Sequence, residues 1–311
     1  MRNIKFTLII SLIFVLNQAM AQQQPIYNQY AMNPFVLNPA YAGHNEMINL
    51  TASYRQQWAA IDGAPTTMTF TGHAALNDLK SGVGLSVWSD KIGKISQTSV
   101  SGAYSYKVKF EWGTLAGGLS LGMVQMKTDY ASSNLNGVID PTFTGGDINQ
   151  WKFNAGAGLF LTGDKYFVGF SVPQMLGNQF SNESNVEQIK LAQQYYLTGG
   201  YVFDLGESKF DLKPYAMIRM EGGTPFNYDI NLQAYYNEQF SLGVQYKSTN
   251  STAVLLELIL QKSFYIGYSY EFNYGTNYEG INTSGSHEFV LTYMLPWKKG
   301  DDTAEAKMKF F

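Results

Sequence analysis

The sequence predicts an all-β fold: a closed antiparallel transmembrane β-barrel of about 14 strands, with 12 to 16 admissible, preceded by an ordered segment at or in its periplasmic mouth. Three observations predict it. Apolar residues alternate one in two over most of the chain, as strands with two different faces require. Charged residues make up only 14% while aromatics reach 15%, where ordinary soluble proteins carry about 25% charge. The even-numbered connections between alternating segments are all short while the three longest are all odd-numbered, a separation that a β-sandwich has no reason to produce.

The chain begins like an export signal. Arg2 and Lys5 precede an apolar run from Phe6 to Leu16, and Ala19-Met20-Ala21 offers an A-x-A cleavage site. The run is too short to span a bilayer as a helix. Residues 1–21 therefore read as a signal peptide, cleaved near Ala21 after Sec export, with the mature chain in the outer membrane. No cysteine is present to form disulfides, thiolate metal sites or a lipid anchor. The net charge of −3 and slightly negative mean hydropathy give no basic footprint for nucleic acid.

Residues 22–46 form the second unit, an N-terminal periplasmic or plug segment. Asn33-Pro34 and Asn38-Pro39 recur five residues apart within YNQYAMNPFVLNPAYAG, residues 27–43. Each proline fixes φ, removes an N–H and pushes the preceding asparagine toward extended or turn geometry. The segment is thus neither a helix nor a central strand. Its aromatic content argues against a solvated linker. Tyr27, Tyr30, Phe35, Leu37 and Tyr41 are expected to be buried in the barrel mouth, with Asn33 and Asn38 making turn hydrogen bonds.

The barrel is expected over 47–297. Alternation marks strands near 47–56, 66–75, 81–89, 96–108, 113–127, 150–162, 165–172, 193–203, 208–220, 226–237, 239–247, 252–261, 263–273 and 286–296. In the thirteenth, Phe264, Ile266, Tyr268, Tyr270 and Phe272 oppose Tyr265, Gly267, Ser269 and Glu271. The even-numbered connections are short, and the longest, 128–149, 173–192 and 274–285, are all odd-numbered. Outer-membrane barrels show this separation of periplasmic turns from external loops. Pro214 falls inside the ninth strand facing outward, where it lacks a ladder donor. Trp58, Trp88, Trp112, Trp151 and Trp297 fall at strand ends, as interfacial girdles require. Residues 298–311 read as a periplasmic tail.

The alternation points Arg55, Lys107, Lys152, Asp211, Lys213, Arg219, Glu221, Asp229, Glu257, Glu271 and Glu288 into the lumen. They serve either as a solvated, cross-paired lining or as the hold on a plug or incoming chain. Glu257, between Leu255 and Ile259, calls for an arginine partner, since an unpaired buried charge is costly. Lumen-facing glycines such as Gly82, Gly84, Gly156 and Gly158 thin the wall or admit a neighbouring backbone. His44, His73 and His287 lie in separate elements, and His287-Glu288 lacks the second histidine of a zinc helix. No nucleophile–base pair is spaced for catalysis, so the chain reads as a non-enzyme without catalytic residues, cofactor or metal.

Three stretches resemble the PorP/SprF family, outer-membrane proteins of the Bacteroidota type IX secretion system. They are Tyr27 to Gly43 with its two Asn-Pro pairs, Tyr54-Arg55-Gln56-Gln57-Trp58 with Gly63-Ala64-Pro65-Thr66-Thr67, and Gly285-Ser286-His287-Glu288-Phe289. The C-terminal stretch 296–311 is longer than the family pattern. The resemblance implies a role in secretion or gliding. It also implies partners: other type IX components, outer-membrane lipid, and a large secreted adhesin exported or anchored through its C-terminal sorting domain. Two other functions stay open at this point, a gated channel for small or hydrophobic solutes and a scaffold in a periplasmic ring complex.

Overall fold

The computed structural model describes residues 25–45, 47–76, 79–129, 147–182, 188–206, 209–222, 224–274 and 284–296. The expected signal peptide, the tail 298–311 and Trp297 lie outside the described residues.

Fourteen barrel strands follow the sequence in order. They are β1 Met47–Gln56, β2 Thr66–Ala75, β3 Ser81–Ile92, β4 Ile95–Phe110, β5 Gly113–Thr128, β6 Asn149–Thr162 and β7 Tyr166–Val172. The second half comprises β8 Gln194–Tyr201, β9 Phe210–Glu221, β10 Asn227–Tyr236, β11 Phe240–Lys247, β12 Ser251–Leu260, β13 Phe264–Asn273 and β14 Ser286–Pro296. Each pairs antiparallel with the next, and β14 returns to β1 over ten residue pairs from Met47↔Pro296 to Gln56↔His287. The barrel is closed, so no strand edge is left to hydrogen-bond in lipid. A small hairpin, Gln179–Ser181 with Gln188–Lys190, stands apart in the β7–β8 connection.

The two faces of each strand differ as a barrel wall requires. Outward residues such as Phe70, Leu85, Leu119, Leu159 and Leu232 are exposed and form the lipid-facing belt. The inward face of β11 reads Ser241, Gln245 and Lys247, all buried. Tight turns close one end: Asn237-Glu238 and Gln261-Lys262 each place two successive residues at positive φ, which matches the twist of the flanking strands. The long connections all lie at the other end.

Three details correct the expectations from sequence. First, β3 runs to Ile92 rather than position 89, because Ile92 pairs directly with Ile95 around the left-handed Gly93. The turn is so tight that Asp90 and Lys91 still belong to the strand. Second, Trp88 is not at a strand end. It sits well inside β3, faces the lumen and is 9% exposed, because its parity matches buried Ser86 and Asp90. Third, the β8–β9 pairing is interrupted opposite Pro214 and Lys213 and resumes in the same register at Phe203–Asp204, opposite Leu212 and Asp211, while Val202 N keeps the ladder to β7 by bonding Lys165 O. The interruption falls beside the residue that has no donor to give.

Among the described residues, the lumen is occupied by the chain's own N-terminal segment. Residues 25–45 run inside it, and the main apolar core is formed by this strap, including Tyr27, Tyr30, Phe35, Leu37 and Tyr41, against inward Phe160, Phe167, Tyr196, Tyr215 and Met217. A second apolar cluster, Val124, Met126, Ile148, Phe180 and Leu191, lies under the long connections beside β5.

Leu119, 65% exposed on the lipid face midway along β5, gives a test of the belt. Leu119→Arg is expected to lower stability by about 2–4 kcal/mol, read by urea unfolding in lipid vesicles, whereas Leu119→Ile should be near neutral.

Candidate functional site in the strapped lumen

The strap is built from its two Asn-Pro pairs. Neither asparagine is helical: Asn38 is extended (φ −135°, ψ 109°) and Asn33 has φ −139° and ψ 67°, and each following proline opens a short 3-10 turn, Pro34–Val36 and Pro39–Tyr41. A proline suits the first helical position because its missing N–H would be unsatisfied there anyway. Asn38 makes the expected turn bond, its Oδ1 accepting from Ala40 N at 3.0 Å. Asn33 makes its turn bond through the backbone, its O accepting from Val36 N at 3.3 Å, while its side chain makes no cap and accepts from Thr71 Oγ1 on β2 at 3.2 Å. Pro34 is half-buried and Pro39 buried.

The strap enters at the short-turn mouth and continues much further, to the long-loop end of the lumen. There a clamp holds it. Asn28 N donates to Glu288 Oε2 at 2.7 Å and Gln29 N to Glu288 Oε1 at 3.3 Å. Arg55, the partner of Glu288 across the β1–β14 seam, bridges that carboxylate at 3.3 Å and Glu271 at 2.6 Å. Lys247 Nζ reaches Glu271 at 3.0 Å and also donates to Asn28 Oδ1. Ser251 Oγ donates to Glu271 at 2.7 Å, Gln245 Nε2 to Asn28 O at 3.1 Å, and Asn28 Nδ2 to Ser269 Oγ at 3.1 Å. Two cations face two carboxylates, all at least nine-tenths buried. The charges are therefore mutually compensated, the condition under which burial is tolerated.

Below the clamp, individual side chains fix the strap to the wall. Tyr27 Oη meets Thr69 Oγ1 at 3.0 Å, and Tyr30 Oη accepts from Asn231 Nδ2 at 2.7 Å while its ring stands edge-on to Tyr215. Asn38 Nδ2 donates to Leu159 O at 2.9 Å. A Cβ at Gly84 would strike the Phe35 ring, one at Gly118 the Ala40 backbone, and one at Gly158 the Asn38 amide. The lumen glycines thus admit a neighbouring segment, one of the two roles read from sequence.

At the short-turn end, Lys107 Nζ donates to Gly43 O at 2.7 Å, and Gly43 N donates to His73 Nδ1 at 3.1 Å. Tyr41 stacks on His44 and stands edge-on to Phe160 and His73. Burial, with Lys107 nearby, pushes the His44 imidazole down to about 3, so it is neutral in the docked strap.

Arg219, Asp229 and Glu257 are also inward and buried. Asp229 sits opposite Lys247 and near Arg219. Among the described residues, Glu257 has no arginine partner. Its Oε2 accepts from Gln233 Nε2 at 3.1 Å and from Tyr235 Oη and Ser241 Oγ at 3.3 Å, with Lys213 as its cationic neighbour. Neutral donors and one lysine replace the expected arginine because adjacent β10 and β11 present three of them to one oxygen.

Of the other motif residues, Gln57 N bonds Pro65 O at 2.9 Å and closes the β1–β2 connection. Trp58 N reaches Ser286 Oγ at 3.3 Å, folding that connection against β14. His287 faces outward, its Nδ1 2.9 Å from Tyr268 Oη. Sequence reasoning missed Asn28, Lys247 and Asp90. Lys247 could have been found by continuing the Ser241-Gly243-Gln245 parity one more step.

Comparison with known proteins decides the family. The pattern described as type IX secretion system membrane protein PorP/SprF matches residues 19–293. The chain belongs to that family. The match runs from before the strap through the barrel and into β14, consistent with an outer-membrane barrel. No curated protein matches. Among solved structures, the chain is similar to the Pseudomonas putida toluene transporter TodX (9% identity, TM-score 0.49, covering 88% of this chain and 95% of that one). It is also similar to Acinetobacter baumannii Omp33 (9%, 0.46, 80% and 98%) and CdiB (8%, 0.41, 80% and 60%).

Two outcomes test this site. Glu288→Leu removes the acceptor of two strap amides and one of the carboxylates of Arg55, a loss of about 3–5 kcal/mol. It should raise hydrogen exchange at 27–30, and deleting 25–43 should turn a closed barrel into a conducting one in planar bilayers. The second outcome concerns pH. The undocked strap takes up a proton on His44 near its ordinary value of 6.5, which the docked strap excludes down to about 3. Docking is therefore strongest above pH 6.5 and weakens as pH falls toward 3, with His73, Lys107 and Tyr41 as the facing groups. Conductance should rise between pH 7.5 and 5, and His44→Phe should reduce that rise, with His73, whose Nδ1 accepts from Gly43 N only in the docked strap, keeping the remainder.

Proposed function

We propose that this chain is a non-enzymatic, strap-closed component of the type IX secretion and gliding machinery. It binds a large surface adhesin through that adhesin's C-terminal sorting domain, and anchors it or helps export it. The family membership supplies the machinery. The observation that carries the reading is the filled lumen. Two cavities beside the strap, among the described residues, measure about 50 and 30 Å³, too small for solute passage but large enough for water. A barrel sealed in this way offers its ends, not its interior, to other proteins. The gated-channel and ring-scaffold readings then become outcomes of the test.

On the same reading, residues 1–21 are removed before the strap docks. The tail 298–311 follows β14 at the short-turn end and belongs to the periplasm.

Purification of the full chain from native membranes tests the partner role. Recovery of a type IX component together with a sorting-domain protein is expected. Recovery of monomeric barrel and lipid alone would sink the proposal, and large conductance of that isolated barrel would favour the channel instead. Loss of an assembled periplasmic ring on deletion of the gene would point to the scaffold.

A further inference from the structure

The outward face of β2–β5 changes character along its length. Toward the middle it is apolar: Met68 and Phe70 on β2, Leu85 on β3, Val100 on β4, and Leu121 and Met123 on β5 are all exposed. Toward the long-loop end the same parity continues as Thr66, then Ser89 and Lys91, then Thr98 and Ser96, then Gln125 and Lys127. The apolar belt stops there and polar wall begins. Trp151 lies outward on β6 beside Gln125 and is 45% exposed, an aromatic at the level where headgroups meet acyl chains.

Register places Thr66, Lys91, Ser96 and Lys127 side by side in one row across four strands. Two strand spacings separate the lysine-bearing strands β3 and β5, about 10 Å, with the Ser96 hydroxyl between them. The β1–β2 connection stands over this row, pinned where Gly93 N bonds Gly63 O at 2.8 Å. Between connection and row lies an open groove of about 810 Å³. Its charged lining is Lys91, Lys94 and Lys127 against Asp62 and Asp129. Lys91 and Lys127 are both exposed.

We propose that this groove is a headgroup site for an anionic, phosphorylated glycolipid of the outer leaflet. Its position selects a lipid rather than a soluble anion. The row sits directly above the apolar belt, so acyl chains lying against Phe70, Val100 and Met123 carry their own headgroup into reach of Lys91, Lys127 and the two hydroxyls. A polar cavity with lysines and hydroxyls at this height matches phosphate and sugar oxygens, which accept hydrogen bonds from both. Basic residues at the membrane surface attract anionic lipid. The site lies outside the strapped lumen and is independent of any protein partner.

The test uses the full chain in detergent micelles, titrated with diphosphoryl lipid A and read by native mass spectrometry. One lipid A per barrel is expected to survive desolvation. The double variant Lys91→Gln/Lys127→Gln should bind roughly tenfold or more weakly, and Lys109→Gln/Lys165→Gln at the short-turn end should bind as the parent does. Equal binding by the Lys91/Lys127 variant, or by lipid A stripped of phosphate, would overturn the site. Displacement by inorganic phosphate at matched concentration would also overturn it, by making the groove a general anion site. Both variants alter exposed lysines, and an unchanged heat-induced mobility shift on gels reports that the barrel is intact.

Discussion

The structure turns on one carboxylate. Glu288 accepts the backbone amides of Asn28 and Gln29 while Arg55 holds it from the neighbouring strand. Arg55 and Glu288 are also opposite one another in the seam that joins β1 to β14. Closing the barrel and building the clamp are therefore the same event. Until the last strand meets the first, Glu288 has no arginine and the strap amides have no compensated acceptor. Barrel closure and strap capture reinforce each other, with Glu271 and Lys247 extending the coupling to β13 and β11.

The clamp also explains why the lumen is so rich in polar groups and yet so filled. A barrel of this strand number encloses space for a channel. Here the space is taken by tyrosines, phenylalanine and leucine of the strap, each fully buried aromatic or aliphatic side chain contributing about 1.5–3 kcal/mol. The inward charges then cannot all be solvated by a water column. They are met by other side chains or by the strap itself, as with Lys107 on Gly43 O and Lys247 on Asn28. Of the two roles open for these charges, holding a plug applies to Arg55, Lys107, Lys247, Glu271 and Glu288. Glu257 is satisfied by wall residues alone.

Much of this was legible in the chain because barrel walls impose period two. The strand segments from 47 to 296 appear close to their expected places, and inward charges fall on the expected face, since one residue of slip would put each of them into lipid. The departures share one cause: the alternation fixes a face but not a height. Trp88 obeys its parity and so points inward, although its residue type suggested an interface. Asp90 lay just past the expected end of β3, because a tight Gly93 turn lets pairing run further than turn composition suggests. Glu257 needed a donor, and only the register of β10 and β11 shows that a glutamine, a tyrosine and a serine supply it.

The sequence by itself determined the all-β class, the faces of the strands, and an N-terminal segment too stiff for helix and too apolar for solvent. Proline geometry and hydrophobic periodicity are local, so they can be read residue by residue. Only the tertiary structure decided how far that segment travels and what holds it. Asn28 and Glu288 are 260 residues apart, and they meet because the barrel is closed. Where one chain end seats inside the wall depends on shear, height and charge balance around the ring, none of which is written in any single stretch.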